Sequence, residues 1–96
     1  MKHMEKIDIL GVRAEVARSF FERARGLIGR SSLAPGTGML ILRCNAIHTC
    51  FMRFAIDAIF LDRDGNVVKT VRNIPPWRLL VWGGFKADRV LEVQAW

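Results

Sequence analysis

No stretch of this sequence approaches the ~20 consecutive apolar residues that a membrane-crossing helix needs, and no membrane span is expected. Glu5 and Asp8 interrupt the segment where an export signal would carry its apolar core, so the chain as it stands is expected to be cytoplasmic. Cysteine and histidine are scarce, at two residues each. His3 falls in the opening "MKHM", which reads as a vector-derived scar or alternative start and sets residues 1–4 apart from a single domain over residues 5–96. Structural zinc usually repeats ligand pairs about two to four residues apart, and no second cluster exists here, so no metal and no cofactor are expected. Cys44 and Cys50 are expected as buried free thiols, a disulfide being unusual in a cytosolic chain. Carboxylates are also in short supply, nine against fifteen lysines and arginines. The resulting net charge of +6 and pI near 10.4 suit a protein that meets phosphate or another anionic partner.

What is present describes a small folded domain. A chain of 96 residues buries roughly 60 to 65% of its unfolded surface, and 51% hydrophobic with 25% charged residues excludes intrinsic disorder. Eleven of the fifteen cations are arginine, the planar donor suited to phosphate and carboxylate. Between Arg18 and Arg53 six arginines accompany a single carboxylate, Glu22.

"EKIDIL" and "VRAEVAR" alternate with period two around Gly11 and predict an opening pair of strands. "SFFERARGLIGR" changes period: Phe20, Ala24, Leu27 and Ile28 form a helical stripe, with Ser19 and Glu22 as a capping box and Gly29 as the closing residue. Gly26 inside it suggests close backbone packing. "MLILRC", "AIHTCFMRF" and "DAIFLD" then read as successive strands, and "DRDG" before "NVVKTVR" as the turn of a hairpin. "NIPPWRLLVWGGFKADR" is broken by prolines and glycines and reads as a long loop, before "VLEVQAW" closes with a last alternating strand. One sheet of six or seven short strands would leave a face uncovered. A mainly β (α+β) fold closing into a small or partly closed β-barrel, with one helix near residues 19–28, is therefore expected.

Chemistry concentrates in "CNAIHTCFMRFAID", Cys44 to Asp57. In a regular strand Ala46, His48, Cys50, Met52 and Phe54 share one face, and Ile47, Thr49, Phe51 and Arg53 the other. His48 is then the lone polar group on an apolar face, either a satisfied rim histidine or a catalytic base. Asp57 could fix its tautomer, which makes His48 and Asp57 the candidate catalytic pair of a hydrolase. No nucleophile elbow accompanies them, and Cys50 stands ~7 Å from His48 in a regular strand. The plainer role for Asp57 is a buried contact with Arg25 or Arg30, or a turn cap. Trp77 and Trp82, flanking Arg78, either cover one end of the barrel or offer a stacking surface, and the chain carries no RNP or helix-turn-helix signature to strengthen a nucleic-acid reading.

"RARGLIGR", "LAPGTGMLI", "HTCFMRFAIDAIFLDRDGNVV" and "VLEV" together resemble the bacterial and archaeal family known as domain of unknown function 192, from about Val12 to Ala95. The matching positions are Arg25, Gly26, Leu27, Gly29, Arg30, Gly38, Met39, His48, Met52, Asp57 and Gly65. The resemblance implies a compact, mainly β, barrel-like fold with one short helix and no established activity. Many relatives read Phe-Trp-Met-Lys-Asn-Thr where this chain reads Cys50 to Ala55, so any role of those asparagine and threonine side chains is not carried over. Members generally continue past the last strand, so either a short member or a truncated chain is expected.

These readings converge on a non-catalytic binding or accessory module. Its rim is expected to hold an anionic small molecule or a protein partner through Arg25, Arg30, His48, Met52, Asp57 and Trp77. The alternatives are a small hydrolase using His48 and Asp57 and a weak nucleic-acid binder. The oligomeric state is open.

Overall fold

A computed structural model describes residues 4–95. Met1 to His3 and Trp96 lie outside the described residues, and the reading of the opening segment bears only on Met4, which is half-buried against the main core. Strands β1 (Lys6–Ile9) and β2 (Val12–Ala17) form the expected opening hairpin. Its turn residues Leu10 and Gly11 both have positive φ, 51° and 76°, the primed geometry whose twist matches the flanking strands. β2 pairs in parallel with β3 (Thr37–Leu42). Parallel neighbours require a crossover, and the chain between them provides it over one face of the sheet, carrying α1 (Phe20–Arg25).

The remaining strands are β4 (Ala46–Ile47), β5 (Ile56–Leu61), β6 (Val67–Ile74), β7 (Val81–Trp82) and β8 (Arg89–Gln94). Six of them form one sheet in the order β1-β2-β3-β8-β5-β6, and β4 with β7 makes a separate two-stranded ribbon. The mainly β expectation is met, but the sheet does not close: β1 and β6 are its two ends. Closure is unnecessary because the crossover and the ribbon cover the exposed face. Leu27 from the turn after α1 and Ile47 from β4 share a core cluster with Met39, Ile41, Ala58, Phe60 and Val90 of the sheet. The opposite face holds a smaller cluster around Ala14, Leu40, Leu61 and Leu91. The "DRDG" hairpin between β5 and β6 forms as read. The Asp62 carboxylate accepts the backbone N–H groups of Asn66 and Asp64, each at 2.9 Å, and the Asn66 bond in particular holds its pKa below the ordinary value.

Three local expectations are corrected. The helix is only six residues long: its Ser19–Glu22 capping box is present, but Gly26 ends it at φ 49°, ψ −124°, a conformation costly for any residue with a side chain. Leu27 therefore enters the core from a turn, and Ala24 of the expected stripe is exposed. The segment after Ile47 is not a regular strand. Met52 N–H donates to the Thr49 carbonyl at 3.2 Å and Phe51 takes φ 66°, so the alternation breaks and Ile47, Thr49, Met52 and Phe54 are all buried while His48, Phe51 and Arg53 are exposed. The proline- and tryptophan-containing loop holds β7, and Trp77 and Trp82 are exposed rather than covering an end of the sheet.

Thr49 fixes this half of the molecule. Fully buried, its hydroxyl donates to the Pro75 carbonyl at 2.6 Å and accepts Arg78 N–H at 2.9 Å, while its backbone N–H donates to the Arg78 carbonyl at 2.9 Å. Thr49→Val keeps the shape but strands the Pro75 carbonyl and the Arg78 amide, and is expected to cost about 1–3 kcal/mol in urea unfolding. An unchanged midpoint would show that the hydroxyl holds nothing.

Candidate functional site

Two concavities flank α1 and the turn that follows it. The larger is a groove of about 890 Å³ between α1 and strands β1 to β3. Met4, Phe21 and Met39 give it apolar surface, and Lys6, Arg25, Arg30, Glu15 and Glu22 give it charge. Arg30 is engaged: its guanidinium forks onto Glu15 at 3.1 and 2.8 Å, and that hydrogen bonding is the main reason the Glu15 carboxyl lies below its ordinary pKa. Glu22 accepts the backbone N–H groups of Arg18 and Ser19, both at 3.0 Å. Lys6 and Arg25 make no ion pair within 4 Å among the described residues, although Lys6 stands opposite Glu15 on the paired strands and its charge helps hold the Glu15 carboxyl low.

The smaller cavity, about 130 Å³, lies beneath the turn Arg23–Ile28, bounded by Cys44, Ala46 to His48, Met52 and the sheet residues Ile41 and Glu92. Its volume matches about four water molecules. Glu92 sits at the middle of β8 with Met39 of β3 on one side and Ala58 of β5 on the other, neither able to hydrogen-bond it through a side chain. It is 3% exposed, has no hydrogen-bond or ion-pair partner among the described residues, and burial pushes its carboxyl up to about 7. Gly26 passes directly over it: a Cβ there would stand 3.8 Å from Glu92 Oε1. Arg23 lines the same cavity, and its Nε–H is buried without a partner while Nη2 donates to the Arg43 carbonyl at 3.3 Å. Cys44 Sγ donates to the Ala46 carbonyl at 3.1 Å, and burial raises its thiol pKa, which makes it a poor nucleophile at neutral pH. His48 Nδ1 accepts Cys50 N–H at 3.1 Å, which places the proton of the neutral ring on Nε2.

The structure thus brings the arginine-bearing turn beside the histidine-bearing segment, as the sequence suggested, but does not assemble the whole expected set. Arg25 lines both concavities, Arg30 the groove, and His48 and Met52 the small cavity. Asp57 lines neither. Its Oδ1 accepts Asn73 N–H at 2.8 Å and its Oδ2 lies 4.0 Å from Arg72 Nε, so the expected contact with Arg25 or Arg30 is replaced by one within the β5–β6 hairpin. Asp57 and His48 therefore share no cavity. Trp77 stands on the outer surface against Phe51, ring centroids 4.8 Å apart. Among the described residues no group of three or more His, Cys, Asp or Glu is placed to hold a metal ion.

Glu92 and Arg23 were not singled out from the sequence. The available signal was period two in "VLEVQ", which puts Glu92 on the face of Val90 in a strand whose two faces are both apolar. Because the folded chain holds the Glu92 proton more tightly than the unfolded chain, the contribution of Glu92 to stability is greatest at low pH and declines as pH rises from 4.5 to about 7. The full decline is about 3 kcal/mol from this group. Glu92→Gln is expected to flatten that slope and to be more stable than the parent above neutrality, as read from urea midpoints across pH; parallel curves would contradict it.

A profile for the DUF192 family, described as an uncharacterized ACR, matches residues 3–95. A UPF0127 protein of Pyrococcus abyssi is 39% identical over 75 residues, which is 72% of this chain and 61% of that protein. A UPF0127 protein of Thermococcus sibiricus is 38% identical over 77 residues, 72% of this chain and 47% of the other. The match therefore spans less than two thirds of either relative. Among solved structures, a protein of unknown function from Novosphingobium aromaticivorans is similar with a TM-score of 0.81 and 27% identity, over 88% of this chain and 64% of that one. A candidate transcription regulator from Sinorhizobium meliloti superposes with a TM-score of 0.85 over 99% of this chain and 84% of that one; at 20% identity it shows the shared fold alone.

Proposed function

Because this chain belongs to the DUF192 family, whose description leaves its activity open, we propose from its own geometry that it is a non-catalytic binding module for an organic anion with an apolar portion. The observation that carries this reading is the groove of about 890 Å³, within the usual range of ligand sites, where Arg25 makes no close ion pair among the described residues and Lys6, opposite Glu15, keeps its ammonium beyond 4 Å of any described carboxylate, beside Met4, Phe21 and Met39. An anionic head between the two cations gains charge-assisted hydrogen bonds. An aliphatic tail covers the methionines and Phe21. Arg30 contributes to the wall rather than to the head, since Glu15 already occupies its fork. His48 and Met52 belong to the adjoining small cavity, separated from the groove by the turn at Gly26. The binding reading needs no nucleophile, and the separation of His48 from Asp57 leaves the hydrolase reading without its orienting carboxylate.

Titration calorimetry with laurate as the probe tests this. The parent chain is expected to bind, and Lys6→Gln with Arg25→Gln to weaken binding at least about tenfold, each lost charged hydrogen bond contributing more than ~1.4 kcal/mol. Arg30→Gln is expected to have a smaller effect. No heat from the parent, or equal affinity in the double variant, would overturn the reading.

A further inference from the structure

The ribbon side of the molecule carries a surface that the groove does not explain. Between Trp77 and Phe85 five large apolar side chains are exposed, Phe85 at 93%, Leu79 at 84%, Leu80 at 71%, Trp77 at 61% and Trp82 at 42%, and Phe51 at 66% packs against Trp77. Scattered exposed leucines are ordinary on a soluble surface, but six bulky groups gathered on one loop and its neighbour are not. The loop is held in place. Thr49 bonds its start at Pro75 and Arg78, Gly83 N–H donates to the Asn45 carbonyl at 2.7 Å, and β7 pairs with β4. The aromatic rings pack in pairs, Phe51 with Trp77 at 4.8 Å and Trp82 with Phe85 at 4.7 Å.

The charge around this surface has one sign. From Asn66 to Ala87 the chain contains Lys69, Arg72, Arg78 and Lys86 and no carboxylate. Lys69 Nζ donates to the Trp82 carbonyl at 2.7 Å, which sets a cation at the patch itself. The acids bordering this stretch are already engaged: Asp57 is buried, accepts Asn73 N–H and lies 4.0 Å from Arg72 Nε, and Asp88, next to Ala87, is held by Arg89 at 2.8 Å.

We propose that this loop docks the protein on an anionic lipid surface, Leu79, Leu80, Trp77 and Phe85 entering the headgroup region while Lys69, Arg78 and Lys86 meet lipid phosphates. Tryptophan and leucine flanked by lysine and arginine is the chemistry of interfacial anchors, and basic side chains near an anionic leaflet each add attraction. Two other occupants fit less well. A second copy of this chain, meeting the patch by two-fold symmetry, brings like charges together, with no carboxylate in the Asn66 to Ala87 stretch to offset them and the adjoining Asp88 already held by Arg89. A single-stranded nucleic acid needs open aromatic faces, whereas the rings here pack edge-to-face on each other, at interplanar angles of 61° and 86°, and the most exposed groups include two leucines that cannot stack. Docking is independent of the groove, which lies around α1.

Co-sedimentation with vesicles of phosphatidylcholine alone, or of phosphatidylcholine with phosphatidylglycerol, tests the proposal, with tryptophan emission as a second readout. The parent chain is expected to pellet with the phosphatidylglycerol vesicles, with a blue shift, and to stay in solution with phosphatidylcholine. Leu79→Ser with Leu80→Ser is expected to weaken partitioning at least about tenfold with unchanged thermal unfolding, since both side chains already face water. Lys69→Gln and Arg78→Gln are each expected to weaken it about fivefold. Absence of pelleting with anionic vesicles would overturn the proposal, as would equal partitioning of the leucine variant. Self-association in ultracentrifugation that the leucine variant abolishes, or oligothymidylate binding that competes with vesicles, would assign the surface to a second copy or to nucleic acid instead. Vesicle binding that survives Lys6→Gln with Arg25→Gln separates this surface from the groove.

Discussion

Everything on the covered face of this protein is arranged around β8, the strand that pairs with β3 on one side and β5 on the other. It comes last in the chain yet lies inside the sheet, so two parts built from residues 6–42 and 56–74 are joined through it. A central strand must be buried on both faces, and its side chains follow: Val90 and Leu91 are fully buried on opposite sides. The same pairing carries Glu92 inward with Val90. The carboxyl is placed there by strand register, beneath a turn that passes over it without a side chain at Gly26. A buried acid without a partner opposes folding once it ionises, and residues that work against stability in this way cluster at sites that handle ligands or protons. The unpartnered Nε–H of Arg23 in the same cavity points in the same direction.

The short helix owes its place to the parallel pairing of β2 and β3. A crossover had to span a face of the sheet, and a six-residue helix followed by a tight turn spans it while leaving open space on both sides. The groove and the small cavity are the two sides of that space. Arg25 reaches both because it ends the helix immediately before the chain turns.

The excess positive charge is likewise unevenly used. Arg18 is paired with Glu5, Arg30 with Glu15 and Arg89 with Asp88, so much of the net charge resolves into local pairs. Among the cations with no ion pair within 4 Å in the described residues, Lys6 and Arg25 line the groove and Lys69, Arg78 and Lys86 lie along the stretch that carries the apolar loop, while Arg23, Arg43 and Arg53 belong to neither group. Composition alone suggested a single anionic partner. The distribution is consistent with the two separate surfaces proposed above, the groove for a small anion and the exposed apolar loop for an anionic lipid surface.

The features legible in the sequence are those decided within a few residues. The Ser19–Glu22 capping box, the Leu10–Gly11 turn and the "DRDG" hairpin each close hydrogen bonds over two to four positions, and period-two alternation marked most strands. The expected rim put the arginine-bearing turn near His48, and the two line one small cavity. Three outcomes depended on chain segments far apart in sequence. The sheet stays open because the crossover and the β4–β7 ribbon cover its face; Asp57 turns to Asn73 because β6 lies beside it while Glu15 already holds Arg30; and Glu92 becomes a buried, proton-holding carboxyl because residues 39 and 58 flank it. A side chain's ionisation follows from what surrounds it in space, and for Glu92 those neighbours are supplied by strands more than thirty positions away.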